Sequence, residues 1–422
     1  MSDTSKPVWV WLPGCAEPIQ CGTFTLVNGV GSFSYDADYL ARPGALALDP
    51  MSLGMTRAKR PHKETRQGGL FGVFRDASPE GFGLALLERL SGIELTDPMK
   101  RLELSEGDSV GAVEVCDDIE AKCRFSAPTS DDLFEALGRL APERPSSQAA
   151  REVKGLHGTS LGGERPKLTV AHKGQLWIAK LQDEGDAPHT PLREFVAMSL
   201  AAECGVTAAE VEFHCVGTRE VVLVRRFDRD AAPDGRITRH LYASAHTVLR
   251  LDAETRGARS RSYLALAMDL QRWCATQEAD ASDLKRELWR RMAYNALCGN
   301  FDDHPRNHGL VHRAGRWGLA PAFDIAPYIT ASGVLAMAVT RDGSSLATAQ
   351  NLVSSAPVFH YDPQEARAHL VRCRERLAHR WTEQVRALGF DAEAAPYKDP
   401  TWLGSMDPSI PVPGSRAGPR KR

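Results

Sequence analysis

Short runs in which apolar and β-branched residues alternate with polar ones fill the start of the chain: VWVWL at 8–12, TFTLV at 23–27 and GSFSY at 31–35. Their period of two predicts strands, and Asn28-Gly29 between the last two runs predicts a hairpin turn. A helix is predicted from Gly81 through Leu90, more strand and turn in RLELSEGDSVGAVEV at 101–115, and a short helix over 130–140. Pro, Ser and charge in APERPSSQAAREVKG, residues 141–155, interrupt the apolar periodicity and mark a linker.

A different order of elements begins after it. LHGTSLGGERPKLTV followed by KGQLWIAKLQ sets a glycine-rich turn among strands, TPLREFVAMSLAAECG has helical spacing that stops at Gly205, and VEFHCV with REVVLVRRF reads as a hairpin. Further helices are predicted at 263–275 and 282–299. In the second, Leu284, Leu288 and Met292 repeat every four residues, Ser282 is placed to cap, and Lys285 and Arg286 are expected to face water. That stripe is core packing, and its use is to deliver the chain rigidly to the polar loop that starts at Asn300. Residues 404–422 end in PGSRAGPRKR and read as a mobile tail.

Composition narrows the function classes. A chain of 422 residues supports a large core and two to three domains, which argues against disorder and a disulfide-stapled miniprotein. With 52 basic against 54 acidic residues, nothing in the overall charge asks for nucleic acid as the bulk partner. The nine cysteines are odd in number and lack CxxC pairs, so they read as reduced thiols rather than a disulfide framework or zinc knuckle. MSDTSKPVWVWLPG lacks the pattern of a secretory signal and no run reaches 18 apolar residues, so a cytoplasmic protein without membrane contact is expected.

Candidate chemistry concentrates in CGNFDDHPRNHGLVHRAGRWGLAPAFDIAPY, residues 298–328, where Asp302 and Asn307 stand five apart, a hairpin turns at Gly315, and Asp324 follows Phe323. Phosphoryl transfer needs an oxygen base beside the acceptor hydroxyl and oxygen ligands for magnesium beside the phosphates. Asp302 suits the first task, and Asn307 and Asp324 the second, against the simpler reading that Asp and Asn clusters cap turns. His304 and His308 with nearby carboxylates offer a transition-metal alternative; Pro305 disfavours a helix presenting both rings, and hydrogen bonding within the loop is the plainer role. Upstream, Gly158, Gly162 and Gly163 let backbone amides approach phosphate oxygens, and Lys180 at the end of LWIAK can aim its ammonium at them. Glu194 in the next helix is a candidate partner for Lys180, or else a surface carboxylate. Lys167 is a second phosphate contact, or else a solvated strand end. Neither a Walker run nor a dinucleotide-type GxGxxG is present.

The ordered set SLGGERPK at 160–167, WIAK at 177–180, VRRFDR at 224–229, NFDDHPRNHG at 300–309 and APAFDIAP at 320–327 resembles the HipA family of serine/threonine protein kinases, the toxins of bacterial type II toxin-antitoxin modules. The early VWVWLPG and GSFSYDADYL resemble the family's leading module, so the likeness runs over about residues 8–390. It implies an α+β fold with a two-lobed protein-kinase-like core: a small β-rich module over 1–140, the linker 141–155, a nucleotide-binding lobe over 156–230, a mainly helical catalytic lobe over 231–403 and the tail 404–422. It also implies ATP and Mg2+ as cofactors, with Gly162, Gly163, Lys167 and Lys180 on the phosphates and the backbone at Val224 and Arg226 meeting adenine. Asp302 is the implied catalytic aspartate, Asn307 and Asp324 the metal ligands, Glu194 an orienting residue, and Ser160 the site of self-inactivating autophosphorylation. The implied acceptor is a protein connected with translation, such as an aminoacyl-tRNA synthetase. The implied partner is a DNA-binding, HipB-like antitoxin, through which alone DNA would be reached. HLYASAHTVL departs from the acidic segment of some relatives, which opens the contacts to ribose or acceptor. The alternatives are a small-molecule kinase with the same lobes and a catalytically weak binding module.

Overall fold

A computed structural model describes residues 4–55, 60–141, 144–153, 165–182, 185–231, 235–252, 257–274, 278–328 and 332–404. Gly158, Ser160, Gly162, Gly163 and the tail beyond Gly404 lie outside the described residues. In chain order the elements are β1 (Thr4–Val10), β2 (Ile19–Val27), β3 (Val30–Tyr35), α1 (Ala37–Ala41), β4 (His62–Glu64), α2 (Gly72–Asp76), α3 (Gly81–Ser91), α4 (Pro98–Leu104), β5 (Val113–Val115), α5 (Ile119–Cys123), α6 (Ser130–Arg139) and α7 (Ser146–Glu152). There follow β6 (Lys167–His172), β7 (Gln175–Leu181), α8 (Thr190–Leu200), β8 (Val211–Val216), β9 (Arg219–Arg225), β10 (Arg229–Ala231), β11 (Ile237–Arg239), β12 (Tyr242–Ser244) and α9 (Ala245–Val248). The last are α10 (Tyr263–Trp273), α11 (Glu278–Cys298), β13 (Gly309–Arg313), β14 (Arg316–Leu319), α12 (Ala349–Ser355) and α13 (Pro363–Ala387). The architecture is mixed α+β, with β-rich sheets first and a helical region after them.

These elements sort into two units, one comprising Met1–Asp186, Ala209–Glu254 and Gly309–Ala320, the other Ala187–Ala208, Thr255–His308 and Pro321–Arg422. The first holds the strands. An antiparallel sheet runs β4-β3-β2-β1-β5, and its β2–β3 hairpin turns at Asn28 and Gly29, both at positive φ, as the dipeptide predicts. Phe24 and Phe33 on its inner face pack against Phe71 and Phe74 with ring centroids 5.0–6.0 Å apart. Of the strand and turn expected over 101–115, the first part is corrected: α4 occupies it because Asp97 caps the helix through Met99 N, Pro98 starts it, and Met99 and Leu102 bury one face. Only Val113–Val115 is strand.

A second sheet in the same unit runs β6-β7-β9-β8. Its buried face presents Leu168, Val170, Trp177, Ala179 and Val221 to Leu133 and Leu137 of α6 and to Ala149 and Ala150 of α7. The segment 141–155, expected as a linker, therefore carries a helix, because two small alanines fit flush on the sheet.

The sequence VRRFDR supplies the polar lock of this unit. Asp228 accepts from Arg226 and Arg229 at 2.8 Å each and from the Gly111 amide at 2.8 Å. Arg226 also donates to the Asp108 carbonyl at 2.9 Å and Arg229 to the Gly111 carbonyl at 2.5 Å, so residues after β9 are tied to the segment before β5. Burial alone would raise the Asp228 pKa; the two guanidiniums outweigh it and hold the carboxyl well below the usual carboxylate range.

The second unit is helical. Along α11, Leu288 and Met292 of the predicted stripe are fully buried with Trp289, Ala293 and Ala296, whereas Leu284 is half-buried and Ser282, expected as a cap, lies inside the helix, which begins at Glu278. Lys285 and Arg286 do not simply face water: Lys285 is buried with its ammonium on Gln271 Oε1 at 2.8 Å, and Arg286 stacks over Tyr361. α10 and the segment just before α13 supply these partners, which the stripe on α11 alone does not reveal. Leu370, Cys373, Leu377, Trp381 and Val385 form the buried edge of α13. No helix among the described residues is long and apolar enough to cross a membrane.

Candidate active site

The loop that follows α11 is built by the end of that helix. Gly299 turns it at φ 81°, and the amides of Gly299 and Asn300 both donate to the Asn295 carbonyl, at 3.1 and 3.0 Å. Asn300 Nδ2 donates to Asn295 Oδ1 at 3.1 Å as well, so the last turn of α11 fixes where the loop begins. Phe301 then sits edge-on to Trp402 at 5.2 Å, and its carbonyl accepts the Ala336 amide at 3.0 Å.

The two adjacent aspartates have opposite fates. Asp302 is exposed, and its main-chain carbonyl is clamped by the His304 amide at 2.7 Å and by Asn307 Nδ2 at 3.1 Å. Asp303 is buried, and its carboxylate accepts from Tyr263 OH and lies 2.8 Å from His308 Nε2. Burial, followed by the Asp303 charge, pushes the Tyr263 pKa well up, so the phenol stays a donor. His308 is thus committed to Asp303 as hydrogen bonding within the loop predicts. No cluster of three metal-ligating side chains forms around His304 and His308 among the described residues. Tyr263 is the positioning residue that sequence reasoning missed; it lies 40 residues upstream on α10, and nothing in its local sequence marks it.

Asp324 has φ +58°, a left-handed conformation that side chains other than glycine and Asn or Asp rarely adopt. Its segment is pinned on both sides within the second unit: the Ala322 amide donates to Thr207 O at 2.8 Å, and the Tyr328 amide donates to Gly299 O at 3.0 Å. The second bond stitches the Asp324 segment to the start of the Asp302 loop. Asp324→Asn keeps a residue suited to this backbone and is expected to leave the thermal midpoint unchanged. Asp324→Ala is expected to cost about 1 kcal/mol of stability, because alanine keeps the Cβ penalty of the left-handed conformation but loses the short polar side chain that offsets it by local hydrogen bonding. Thermal melts of the two variants beside the parent check this, and equal midpoints for all three would remove the strain argument.

A cavity of about 420 Å3 also lies in the second unit, walled in part by Phe301, Tyr328, Trp381, Tyr397 and Trp402. Its walls include neither Asp302, Asn307 nor Asp324.

In the first unit, Lys180 on β7 stands directly across from Lys167 on β6, and both are half-buried. Val224 is buried in β9, paired with Ile178 and Val211. The Arg226 amide donates to the Leu176 carbonyl at 2.9 Å, and its guanidinium belongs to the Asp228 lock. Glu194 is buried in α8 of the second unit, so it is not a surface carboxylate.

Comparison with known proteins identifies the family and the fold. The family model for the HipA-like C-terminal domain matches residues 159–381, and that for the HipA N-terminal domain matches 12–116. The HipA chain of the solved Shewanella oneidensis MR-1 complex of HipA, HipB and operator DNA superposes with a TM-score of 0.63 over 90% of each chain at 18% identity, a likeness of fold. The Helicobacter pylori proinflammatory kinase CtkA gives a TM-score of 0.37 at 13% identity, over 54% of this chain and 89% of that one. No curated protein matches the chain at a significant level. The chain belongs to the HipA family, the serine/threonine kinase toxins of type II toxin-antitoxin systems.

Proposed function

We propose that this kinase uses ATP and Mg2+ to phosphorylate a serine or threonine of a protein connected with translation, an aminoacyl-tRNA synthetase being the acceptor class considered first, and that it also phosphorylates its own Ser160. The observation that carries the reading is the exposed Asp302 on a main chain clamped by His304 and Asn307. The acceptor hydroxyl gives its proton to the Asp302 carboxylate as its oxygen bonds the γ-phosphorus and the bond to the departing ADP breaks. With Asn307 Nδ2 donated to Asp302, the amide oxygen remains as a hard donor, and with the Asp324 carboxylate it suits magnesium. Bound there, magnesium neutralises charge on the β and γ phosphates.

Lys167 and Lys180 attract the phosphate chain, aided by amides at Gly162 and Gly163. Glu194 orients Lys180, and the backbone at Val224 and Arg226 borders adenine. A phosphate on Ser160 adds about two negative charges beside the nucleotide phosphates and disfavours ATP. The Shewanella relative's assembly with HipB and operator DNA supports a DNA-binding antitoxin as partner, with DNA reached through it. Nine free cysteines suit the reducing cytoplasm, where a translation-related acceptor is found.

The test is peptide-level mass spectrometry after incubating the full chain with ATP and magnesium, with and without a purified aminoacyl-tRNA synthetase. Phosphate on Ser160 and on the acceptor is expected. Transfer to small hydroxyl metabolites in preference to protein would overturn the protein-acceptor reading, and nucleotide binding without any turnover would favour a binding module.

A further inference from the structure

On the strand sheet of the first unit, His172 ends β6, while Glu212 and His214 stand two apart on the edge strand β8 and so share a face. His172 Nε2 lies 3.1 Å and His214 Nε2 3.6 Å from Glu212 Oε2, and one donor atom from each residue lies within 4.8 Å of the other two. Donor atoms around a tetrahedral zinc with bonds of about 2.0–2.1 Å are separated by about 3.3 Å, so the triangle is already near the size a metal requires.

The surroundings orient these groups. His172 Nδ1 is hydrogen-bonded to Ser130 Oγ at 2.8 Å, at the first residue of α6, which fixes the ring and leaves Nε2 for the cluster. His214 packs against Phe134 at 4.9 Å and against His172 at 5.6 Å between ring centroids. Its Nε2 is buried and makes no hydrogen bond among the described residues, an arrangement that is costly without a ligand. The opposing contact is Lys173, whose ammonium holds both Glu212 oxygens at 2.6 and 2.8 Å. That side chain is 65% exposed and sits in the β6–β7 turn, where it is able to swing into water.

We infer that His172, Glu212 and His214 form a binding site for a divalent transition cation of the zinc class, held by two imidazoles and one carboxylate with a fourth position left to water. Imidazole nitrogen selects zinc, cobalt, nickel or copper over magnesium and calcium, so this site is chemically distinct from the magnesium ligands of the kinase reaction. The cation clips the tip of β6 to the edge strand β8 and, through Ser130, to α6. It therefore braces the sheet that carries Lys167 and Lys180.

The experiment is titration of the metal-stripped full chain with zinc by calorimetry and with cobalt by visible absorption. One equivalent of zinc in the micromolar range or tighter, and cobalt bands of tetrahedral intensity, are expected. H214Q is expected to weaken zinc binding by roughly 100-fold or more. K173A keeps all three ligands and is expected to tighten it several-fold, a reading that stands even if H214Q fails to fold. C215S, which removes the exposed thiol next to His214, is expected to bind as the parent does. No zinc uptake well above the protein concentration, parental affinity in H214Q and E212Q, no gain in K173A, or loss in C215S would each overturn the assignment.

Discussion

Alanine in place of Asp302 is expected to slow phosphate transfer to Ser160 and to a protein acceptor by about 10²–10⁴-fold, the usual contribution of a positioned general base. Asp302 is exposed and its structural contacts run through its main-chain carbonyl, which alanine retains. Stability should therefore change by no more than about 0.5 kcal/mol. ATP affinity should also stay close to the parent's, because the proposed role is toward the acceptor hydroxyl. Initial rates by quantitative mass spectrometry, beside an equilibrium ATP titration, check both halves. An unchanged rate would remove Asp302 from the chemistry, and a matching loss of ATP affinity would make it a nucleotide-binding residue. Asp303 makes the contrast: its removal strips a buried carboxylate from His308 and Tyr263, so D303A should lose stability as well as activity.

Replacing Asp228 with alanine is expected to destabilise the first unit by about 3–5 kcal/mol. The substitution leaves the Arg226 and Arg229 guanidiniums buried without their carboxylate, and an unpaired buried charge is among the costliest single changes a core admits. Hydrogen exchange should report the loss first at residues 108–113 and 226–230, which the lock joins. A loss below about 1 kcal/mol would mean that the carbonyls of Asp108, Ser109 and Gly111 satisfy both guanidiniums alone. The same lock has a pH signature. Because the folded Asp228 pKa lies below the unfolded value of about 3.9, its stabilisation is present above that pH and is lost as pH falls through the folded pKa. The parent should accordingly lose stability below about pH 4 more steeply than D228A does.

Where local chemistry decides an element, the sequence is a sufficient guide. Asn28-Gly29 turns its hairpin, the stripe through Leu288 and Met292 buries α11, and Gly205 stands where the turn after α8 takes a left-handed φ of 73°. The candidate residues Asp302, Asn307 and Asp324 are legible for the same reason, since they lie in short polar stretches of a loop and a turn. Local signals fail where a distant surface supplies the energy. Residues 141–155 have the composition of a linker, yet α7 forms because the sheet of β6 to β9 offers Ala149 and Ala150 a flat apolar face. Residues 101–104 look like strand only while the Asp97 cap and the burial of Leu102 are out of view.

By itself the sequence determined the family and much of the element pattern, and it named candidate residues for phosphate and acceptor. Only the tertiary structure decided which of two neighbouring polar residues is buried and which is exposed. Asp302 and Asp303 are chemically identical, and the buried Tyr263 from another helix, together with His308 of the same loop, claims one carboxylate and leaves the other on the surface. It likewise made the arginines of VRRFDR a buried lock and brought His172 beside Glu212 and His214. The burial that sets these roles, and the partners Tyr263, Gly111 and His172, come from distant parts of the sequence, so no local pattern encodes them.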